Sequence, residues 1–386
     1  MIKGFAPLRA ALVSTGLALA AGLAVASGAG PSAAQEGGYE IWALDQGTGV
    51  VHIYGADLKE TDQIDLAAEG IRTPHMIDFT SDHSHAVIAS TASGDVTIIR
   101  TEDREVVAVI QTGPGTHMAS VLPDDSAIIV DVIGSGDVKN DGKLVEITAD
   151  FDAETFNVGR SLTIADDPLI QQRAGDFGDI GAVCHDYAQD GRHAYVTLGP
   201  GLANGGLVIL DTADFELVKA FAPAELNVNC GTLLVPGGAH MLVNGGSADV
   251  GIWYAIDTDT LEVIRQGVSG GNDAHGVWAT PDGSEIWMVN RVSSNGIVLD
   301  SATLEQIGEL SDVGKTPDII AMSPDGARAF ISLRGPNPVS APHVAVGETP
   351  GFAVMDIAGR SLEQVIQPAE GNADSDFHGI GVRVME

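Results

Sequence analysis

Apolar and polar residues alternate along many short stretches of this chain, and tight turns of the Pro-Asp-Gly type separate the stretches. Examples are HMIDFTSDHSHAVIAS from His75, HGVWATPDGSEIWMVN from His275 and DIIAMSPDGARAFISL from Asp318. Alternation with a period of two on both sides of a tight turn predicts antiparallel strands joined by hairpins. The pattern therefore indicates an all-β protein.

The unit recurs with a period of 42 to 45 residues, as from His75 to His117 and from Cys230 to His275. A repeat of this length with four strands is typical of one blade of a β-propeller. Innermost strands that begin near residues 75, 117, 184, 230, 275, 318 and 378 predict seven blades. Two longer intervals are expected to hold insertions: Gly134–Asp179 and Gly335–Gly351.

The two ends of the chain are expected to complete one blade together. The first strands, predicted at Tyr39–Leu44, Val50–Tyr54 and Gln63–Leu66, lack an innermost partner, and the last strand, Phe377–Val384, lacks its outer partners. Joining them closes the ring and removes free sheet edges, which otherwise favour aggregation.

The first 34 residues have the composition of an export signal. Lys3 and Arg9 precede the apolar run Ala10–Ala26, and Ser32-Ala33-Ala34 is a small-residue cleavage site. We expect residues 1–34 to be a signal peptide and 35–386 the propeller, in the periplasm or secreted. A retained membrane anchor is the alternative, since the apolar run is nearly long enough to span a bilayer.

The charge of the chain excludes some partners. There are 53 acidic and 19 basic residues, for a formal net charge of −34. Such a surface repels nucleic acid and anionic membranes and attracts cations. After removal of the signal we expect a monomer that binds neither nucleic acid nor membrane, and much of the charge is explained by a solvated surface in a saline habitat.

The repeat resembles the YVTN-type seven-bladed propeller units of bacterial YncE-like periplasmic proteins. The matching segments are TPDIIAMSPDGARAFISL, DAHGVWATPDGSEIWMVN and the strand ends LDTADFELV, IDTDTLEVI and LDSATLEQI. The resemblance covers essentially the whole mature chain. It implies the fold more strongly than the function, because this architecture includes binding proteins, surface proteins, lactonases and quinoprotein subunits.

One position of the repeat carries unusual side chains. Seven residues before the turn Asp, or its equivalent, most blades have His, Cys or Asp, and the closing strand offers His378 in the context FHGIGVR. One blade has Val183 at this position, but His185 lies two residues on and so on the same face of a regular strand. The candidate metal ligands are His75, His117, His185, Cys230, His275, Asp318 and His378.

Equivalent positions of innermost strands form a ring at one mouth of the channel, and imidazole, thiolate and carboxylate groups are ligands for transition metals. Seven groups cannot all reach one ion, so three or four are expected to bind it. The arc Asp318, His378, His75 and His117 is the first choice, and Cys230 with His275 is the second. Zinc is the expected metal and copper the alternative.

Two plainer interpretations remain open. The histidines could simply line a water-filled channel as polar residues. Cys184 and Cys230, the two cysteines of the chain, could form a disulfide, which is common in oxidising compartments. In a regular strand Cys184 and His185 cannot both face the channel, so Cys184 is expected to be a buried structural thiol if His185 lines the axis.

Three functions fit these observations. The chain is similar to the propeller-type zinc chaperones of bacterial zinc-import systems, which implies a metal carrier or metallochaperone and a metal-import binding protein as partner. It departs from them because Gln35–Gly38 has no His-rich segment. The alternatives are an interaction scaffold with an inert channel and a metal-dependent enzyme of the oxidoreductase or lactonase type.

Of these functions, a metal-dependent enzyme is less favoured. The chain has no HExxH, P-loop, CxxC or CxxCH motif. Nitrous oxide reductases carry copper on a histidine-rich propeller, but this chain has no second, cupredoxin-like domain. Lactonase-type propellers use a central Glu/Asn/Asp calcium set, whereas the predicted ring here is dominated by histidine.

Overall fold

The computed structural model describes residues 38–136, 140–178, 180–199, 205–228, 230–246, 249–342 and 344–385. The predicted signal peptide, residues 1–34, lies outside the described residues. Within the described ranges, the helices are one short α-helix, Pro168–Gln171, and the 3-10 turns Leu66–Glu69 and Ile164–Asp166. None of the helices in this part of the chain is long and apolar enough to cross a membrane.

Seven four-stranded antiparallel sheets form the blades of a propeller, as the repeat predicts. The first blade contains β1 (Tyr39–Asp45), β2 (Val50–Gly55) and β3 (Glu60–Asp65). The second contains β4 (Pro74–Phe79), β5 (His85–Ser90), β6 (Asp95–Arg100) and β7 (Val106–Gln111), and the third contains β8 (Thr116–Val121), β9 (Ala127–Val132), β10 (Lys143–Asp150) and β11 (Thr155–Thr163). The fourth contains β12 (Gly181–Tyr187), β13 (His193–Gly199), β14 (Gly206–Asp211) and β15 (Glu216–Phe221). The fifth contains β16 (Thr232–Leu234), β17 (His240–Gly246), β18 (Gly251–Asp257) and β19 (Val263–Val268). The sixth contains β20 (Ala274–Ala279), β21 (Glu285–Asn290), β22 (Asn295–Asp300) and β23 (Gln306–Leu310). The seventh contains β24 (Pro317–Met322), β25 (Arg328–Leu333), β26 (Gly351–Asp356) and β27 (Ser361–Ile366).

The final strand, β28 (Phe377–Val384), belongs to the first blade. It pairs antiparallel with β1, so that Ile41 lies opposite Val382 and Tyr39 opposite Val384. The sheet order β28-β1-β2-β3 places the C-terminal strand innermost. The predicted closure of the ring by the two ends of the chain is therefore confirmed.

The innermost strands β28, β4, β8, β12, β16, β20 and β24 each contact the next one around the ring, and β24 returns to β28. Apolar side chains fill the space between neighbouring blades. Trp42, Leu44 and Ile53 of the first blade, for example, pack with Ala86 and Ile88 of the second. Burial of this apolar surface holds each blade to its neighbours and fixes where the innermost strands lie.

The Pro-Asp-Gly turns have a recurrent hydrogen-bond pattern. Thr80 Oγ1 donates to Asp82 Oδ1 at 2.8 Å, and Thr280 Oγ1 donates to Asp282 Oδ1 at 2.7 Å. The residue after the Asp has a positive φ, for example 70° at Gly283, which glycine adopts without strain. This requirement explains why the Asp-Gly pair recurs in the sequence.

The two long intervals differ in structure. The interval 134–179 holds the ordinary strands β10 and β11, followed by the 3-10 turn and the α-helix. The interval between β25 and β26 has no strand in its described residues. Its Ser340 contacts Arg334 and Gln46, so this Pro-rich segment lies against residues at one mouth of the channel.

Candidate metal centre

The predicted column of His, Cys and Asp side chains meets at one mouth of the channel. His75, His117, His275, Asp318 and His378 are each the second residue of an innermost strand, and Cys230 lies just before β16. With Cys184 of β12 they form a closed circle of contacts, which we call the axial ring. Its seven members are His75, His117, Cys184, Cys230, His275, Asp318 and His378.

The contacts around the axial ring are short. His75 Nε2 lies 3.0 Å from His117 Nε2, and the His75 and His378 rings stack with centroids 3.7 Å apart. His378 Nε2 lies 3.7 Å from Asp318 Oδ2, and His275 Nε2 lies 2.9 Å from Asp318 Oδ1. The ring is a packed cluster of potential ligands.

Sulfur atoms complete the circle. Cys230 Sγ lies 3.4 Å from His275 Nε2 and 3.2 Å from Cys184 Sγ. Cys184 Sγ lies 3.9 Å from His117 Nδ1. Six of the seven ring residues are buried, and His117 is partly exposed.

The blade that contains β12 departs from the sequence-based expectation. The pairing of β12 with β13 shifts register between Ala182 and His185, as at a β-bulge. An extra residue in one strand reverses the faces of the residues that follow it. Strands β4, β8, β20 and β24 have the same shift, so it is a shared feature of the innermost strands. In β12 it breaks the alternation that placed His185 on the face of Val183. The Cys184 sulfur lies in the axial ring and His185 does not, so the prediction that His185 lines the axis with the other candidates is wrong.

His185 is instead fully enclosed between two blades. Its Nδ1 lies 2.7 Å from Asp131 Oδ2, and its Nε2 lies 2.9 Å from the Tyr187 hydroxyl. Burial acts to lower the pKa of His185, but the Asp131 carboxylate outweighs burial and raises that pKa above the ordinary value. These contacts describe a structural hydrogen-bonded pair.

Glycines bring the innermost strands close together at the level of the axial ring. A Cβ atom on Gly276 would lie 2.1 Å from the carbonyl oxygen of Asp318, and one on Gly379 would lie 2.5 Å from that of His75. Both contacts are too short for any side chain. The glycine that follows His275 and the one that follows His378 are thus required for the ring residues to touch.

The proton positions on His75 follow from its neighbours. Gln46 Nε2 lies 2.9 Å from Asp376 Oδ2, which can only accept, so this end of the amide is the nitrogen. The oxygen Oε1 of Gln46 therefore faces His75 Nδ1, at 2.7 Å. His75 must donate from Nδ1, which leaves a lone pair on Nε2 in the neutral ring.

Two other histidines are held in the same tautomer. His117 Nδ1 lies 2.8 Å from the carbonyl oxygen of Val183, and His378 Nδ1 lies 3.2 Å from that of His75. Carbonyl oxygens only accept, so both rings donate from Nδ1. Metal-binding histidines commonly have one nitrogen tied to a fixed acceptor in this way, which orients the other toward the ion.

Two lone pairs consequently face each other across 3.0 Å, on Nε2 of His75 and Nε2 of His117. Burial, followed by His378 and His117, holds the pKa of His75 well below its usual range. Burial also lowers the pKa of His117. Protonation of either Nε2 atom is therefore disfavoured. A metal cation bound between the two atoms would relieve the repulsion of their lone pairs.

The ligand atoms of His275, Asp318 and His378 all lie within 4.8 Å of one another. Zinc binds nitrogen and oxygen ligands at about 2.0–2.1 Å in a tetrahedral arrangement, which separates ligand atoms by about 3.3 Å. Small side-chain movements would bring the three groups to that spacing. This trio takes two members from the predicted first-choice arc and one, His275, from the second choice.

Two buried arginines hold the Asp318 carboxylate. Arg334 Nη1 lies 2.8 Å from Asp318 Oδ2, and Arg291 Nη1 lies 3.4 Å from Oδ1. Each arginine has its own carboxylate as well, since Arg334 Nε donates to Asp376 and Arg291 Nε donates to Asp273. Three carboxylates face two guanidinium groups, so a third positive charge beside Asp318, from a protonated His275 or from a bound cation in place of that proton, balances the cluster.

The charges around Asp318 shift its pKa and that of His275. Burial acts to raise the pKa of Asp318, but His378, His275 and the two arginines hold it well below its usual range. Burial and Arg291 act to lower the pKa of His275, whereas Cys230 and Asp318 raise it to about 9. At neutral pH the pair is therefore a carboxylate beside an imidazolium.

A cavity of about 300 Å³ opens beside the axial ring. Four ring histidines reach it: His75, His117, His275 and His378. Arg291 lines it on one side, and Ser340, Ala341 and Pro342 of the Pro-rich segment line it on another. A small ion or molecule has room next to the ring.

No family model and no curated protein matches the chain. Solved structures do resemble it in fold. Hydrazine synthase of Kuenenia stuttgartiensis has a TM-score of 0.54 at 15% identity, covering 77% of this chain and 96% of that one. The dihydro-heme d1 dehydrogenase NirN in complex with DHE has a TM-score of 0.54 at 14% identity, covering 88% and 74%.

The β-propeller domain of Cps50 (Swd1) from Myceliophteria thermophila has a TM-score of 0.56 at 13% identity, covering 75% of this chain and 89% of that one. These likenesses establish the β-propeller fold and nothing finer. Two of the similar proteins are enzymes by name, and the third is described only as a propeller domain. The resemblance to YVTN-type repeats remains a prediction.

Proposed function

We propose that this protein is an exported β-propeller that binds a transition metal ion, zinc by preference, at the axial ring. The observation that carries the proposal is the arrangement of lone pairs. His75, His117 and His378 each donate from Nδ1 to a fixed acceptor, which leaves Nε2 for an ion. Polar residues that merely line a channel have no need of this common tautomer.

We place the principal ion between His275, Asp318 and His378. Two imidazoles and a carboxylate are ligands that zinc accepts readily, and three protein ligands leave a fourth position open. Cys230 Sγ, 3.4 Å from His275 Nε2, is the nearest further ligand. Copper is the alternative metal, because imidazole and thiolate suit it as well.

The pair His75 and His117 is proposed as the point of entry. Both residues line the cavity, and His117 is the partly exposed member of the ring. An ion held between their Nε2 atoms could pass to the buried trio without leaving the ring. Burial of the final position favours a carrier that retains its ion, so we propose a metal carrier or metallochaperone that serves a metal-import binding protein.

A metal-dependent enzyme is a second candidate, favoured by the cavity. An ion with an open coordination position would face a space of about 300 Å³ that also presents Arg291. A carrier should pass its zinc to a stronger acceptor without any chemical change in small molecules. Stoichiometric zinc that stays bound while a substrate turns over would favour the enzyme instead.

The proposal is tested by metal content and by a matched pair of variants. The purified protein, prepared without chelator or affinity tag, should bind about one zinc ion with high affinity. Asp318→Asn should lower zinc affinity at least about a hundredfold, because a ligand and its charge are lost. Asp312→Asn removes the same charge from an exposed position and should change nothing.

The control separates the ring from the acidic surface, which attracts cations by its charge alone. Loss of zinc in both variants, or in neither, would show that the ring is not the site. Near-ultraviolet circular dichroism should confirm that both variants remain folded, because Asp318→Asn also removes a partner of two buried arginines.

A further inference from the structure

The two cysteines of the chain touch each other within the axial ring. Cys184 lies on β12 and Cys230 just before β16, in neighbouring blades, and their Sγ atoms are 3.2 Å apart. Both are free thiols and both are buried. Neither sulfur is a member of the trio that holds the principal ion, so the pair is available for chemistry of its own.

The surroundings of the pair are apolar except on the side of the ring histidines. Val183 packs with the two cysteines, and Met118 and Ile133 lie against them. His275 Nε2 is 3.4 Å from Cys230 Sγ, where the positive charge of its imidazolium favours the thiolate form of Cys230. The cavity of about 300 Å³ comes close to the two sulfur atoms, because Val183, His117 and His275, which neighbour the sulfurs, also line the cavity.

We propose that Cys184 and Cys230 form a reversible disulfide that lowers the affinity of the axial ring for its metal ion. A disulfide needs an S–S separation of about 2.05 Å, so the two sulfurs need to close by about 1 Å. The part of the inference that concerns the metal rests on the proposed function.

Hydrogen peroxide, or another small hydroperoxide, is the oxidant of suitable size for a cavity of about 300 Å³. The Cys230 thiolate attacks one peroxide oxygen, the O–O bond breaks, and the leaving hydroxide takes the proton of the His275 imidazolium and departs as water. Cys184 then attacks the resulting sulfenic sulfur, the S–O bond breaks, and a second water forms. The two thiols lose two electrons, which reduce one peroxide to two waters.

The disulfide changes the ligands and the charge next to the proposed metal position. In the reduced ring, Cys230 offers a sulfur ligand and negative charge beside His275. In the oxidised ring that sulfur is bonded to Cys184 and carries no charge. An ion held by His275, Asp318 and His378 therefore loses its nearest additional ligand, and its affinity should fall.

The test measures the disulfide and the metal separately. Peroxide treatment should lower the intact mass by about 2 Da and remove both free thiols, and a phosphine reductant should restore them. Zinc affinity, measured by competition with a chromophoric chelator, should be at least about tenfold weaker in the oxidised protein. The double variant Cys184→Ser, Cys230→Ser should show no effect of peroxide on zinc.

The single variant Cys184→Ser identifies the attacking sulfur. It cannot close a disulfide, so a sulfenic acid on Cys230 should be trapped by dimedone. Thiols that survive peroxide in the folded protein would overturn the proposal, as would a disulfide that the reductant cannot open without unfolding. A disulfide that forms without changing zinc affinity would overturn the metal part.

The two proposals can fail independently. If neither redox state binds zinc, the proposed function is wrong, while the mass change and thiol count still decide whether the cysteines form a reversible disulfide. If zinc binds equally in both states, the function stands and the coupling to the cysteines is refuted.

Discussion

Asp318 and His275 hold opposite charges at neutral pH, and this pairing makes metal binding compete with a proton. Zinc needs the Nε2 lone pair of His275, which faces Asp318 at 2.9 Å. The neighbouring Cys230 and Asp318 raise the pKa of His275 to about 9, despite burial and Arg291. The ion must therefore displace a proton from this ring at physiological pH.

The apparent zinc affinity should accordingly rise with pH by about tenfold per unit from pH 7 to 9 and then level off. His378 adds no slope, because burial keeps its pKa well below the usual range and it is already neutral. Calorimetry in buffers of different ionisation enthalpy should detect about one proton released per ion at pH 7. An affinity that is constant from pH 7 to 8.5 would contradict this.

The same shift affects the stability of the metal-free protein, with the opposite sign. A histidine whose pKa is raised by folding contributes stability that is present below about pH 6.5, its unfolded value. That contribution is lost as the pH rises through about 9. Zinc should therefore protect the protein most effectively at mildly alkaline pH, where the metal-free ring is least stable.

At the scale of the strand, glycine decides whether the axial ring can form. Strands β20 and β24 approach so closely at Gly276 that a Cβ atom would lie 2.1 Å from the backbone oxygen of Asp318. Backbone cannot move away as a flexible side chain can. Separation of the two strands would pull Asp318 away from His275.

Gly276→Ala should therefore lower zinc affinity at least about tenfold and destabilise the fold by about 1–3 kcal/mol, the usual cost of overpacking. Gly175→Ala is the matched control, because a Cβ atom there meets nothing within 4 Å. Chelator competition and urea unfolding measure the two effects. Normal zinc affinity in Gly276→Ala would mean that the close approach of the strands is not needed for the site.

Most of the strands could be predicted from the sequence, because turn residues and alternation are local signals. Innermost strands at residues 75, 117, 275 and 318 and the closing strand Phe377–Val384 are confirmed. The face of β12 could not be predicted in the same way. The run GAVCHDY is buried at nearly every position, so its pattern does not show which side chain reaches the axis. The register shift between Ala182 and His185 also breaks the regular alternation on which the prediction of His185 rested.

The contacts of Arg291 and Arg334 with Asp318 could not be predicted from the repeat pattern either. Arg291 and Arg334 follow the second strands of two blades, at positions that the other blades fill with unrelated residues. Only the closed ring brings their guanidinium groups to Asp318. Long-range contacts of this kind depend on the packing of blades, which a one-dimensional period does not specify.

At the scale of the whole molecule, the propeller brings one side chain from each blade to a common axis. The fold alone does not choose a function, since the proteins that resemble it include enzymes. Function depends on how the seven positions are filled. Here they hold four histidines, two cysteines and one aspartate, enclosed within a molecule of formal net charge −34.

That acidic surface makes metal content alone an ambiguous readout, because exposed carboxylates also attract cations. Anomalous X-ray diffraction at the zinc edge, on crystals grown with one equivalent of zinc, locates the ion directly. The account predicts a single strong peak bounded by His275, Asp318 and His378, with His75 and His117 beside it. Peaks confined to surface carboxylates, with none at the axial ring, would contradict it.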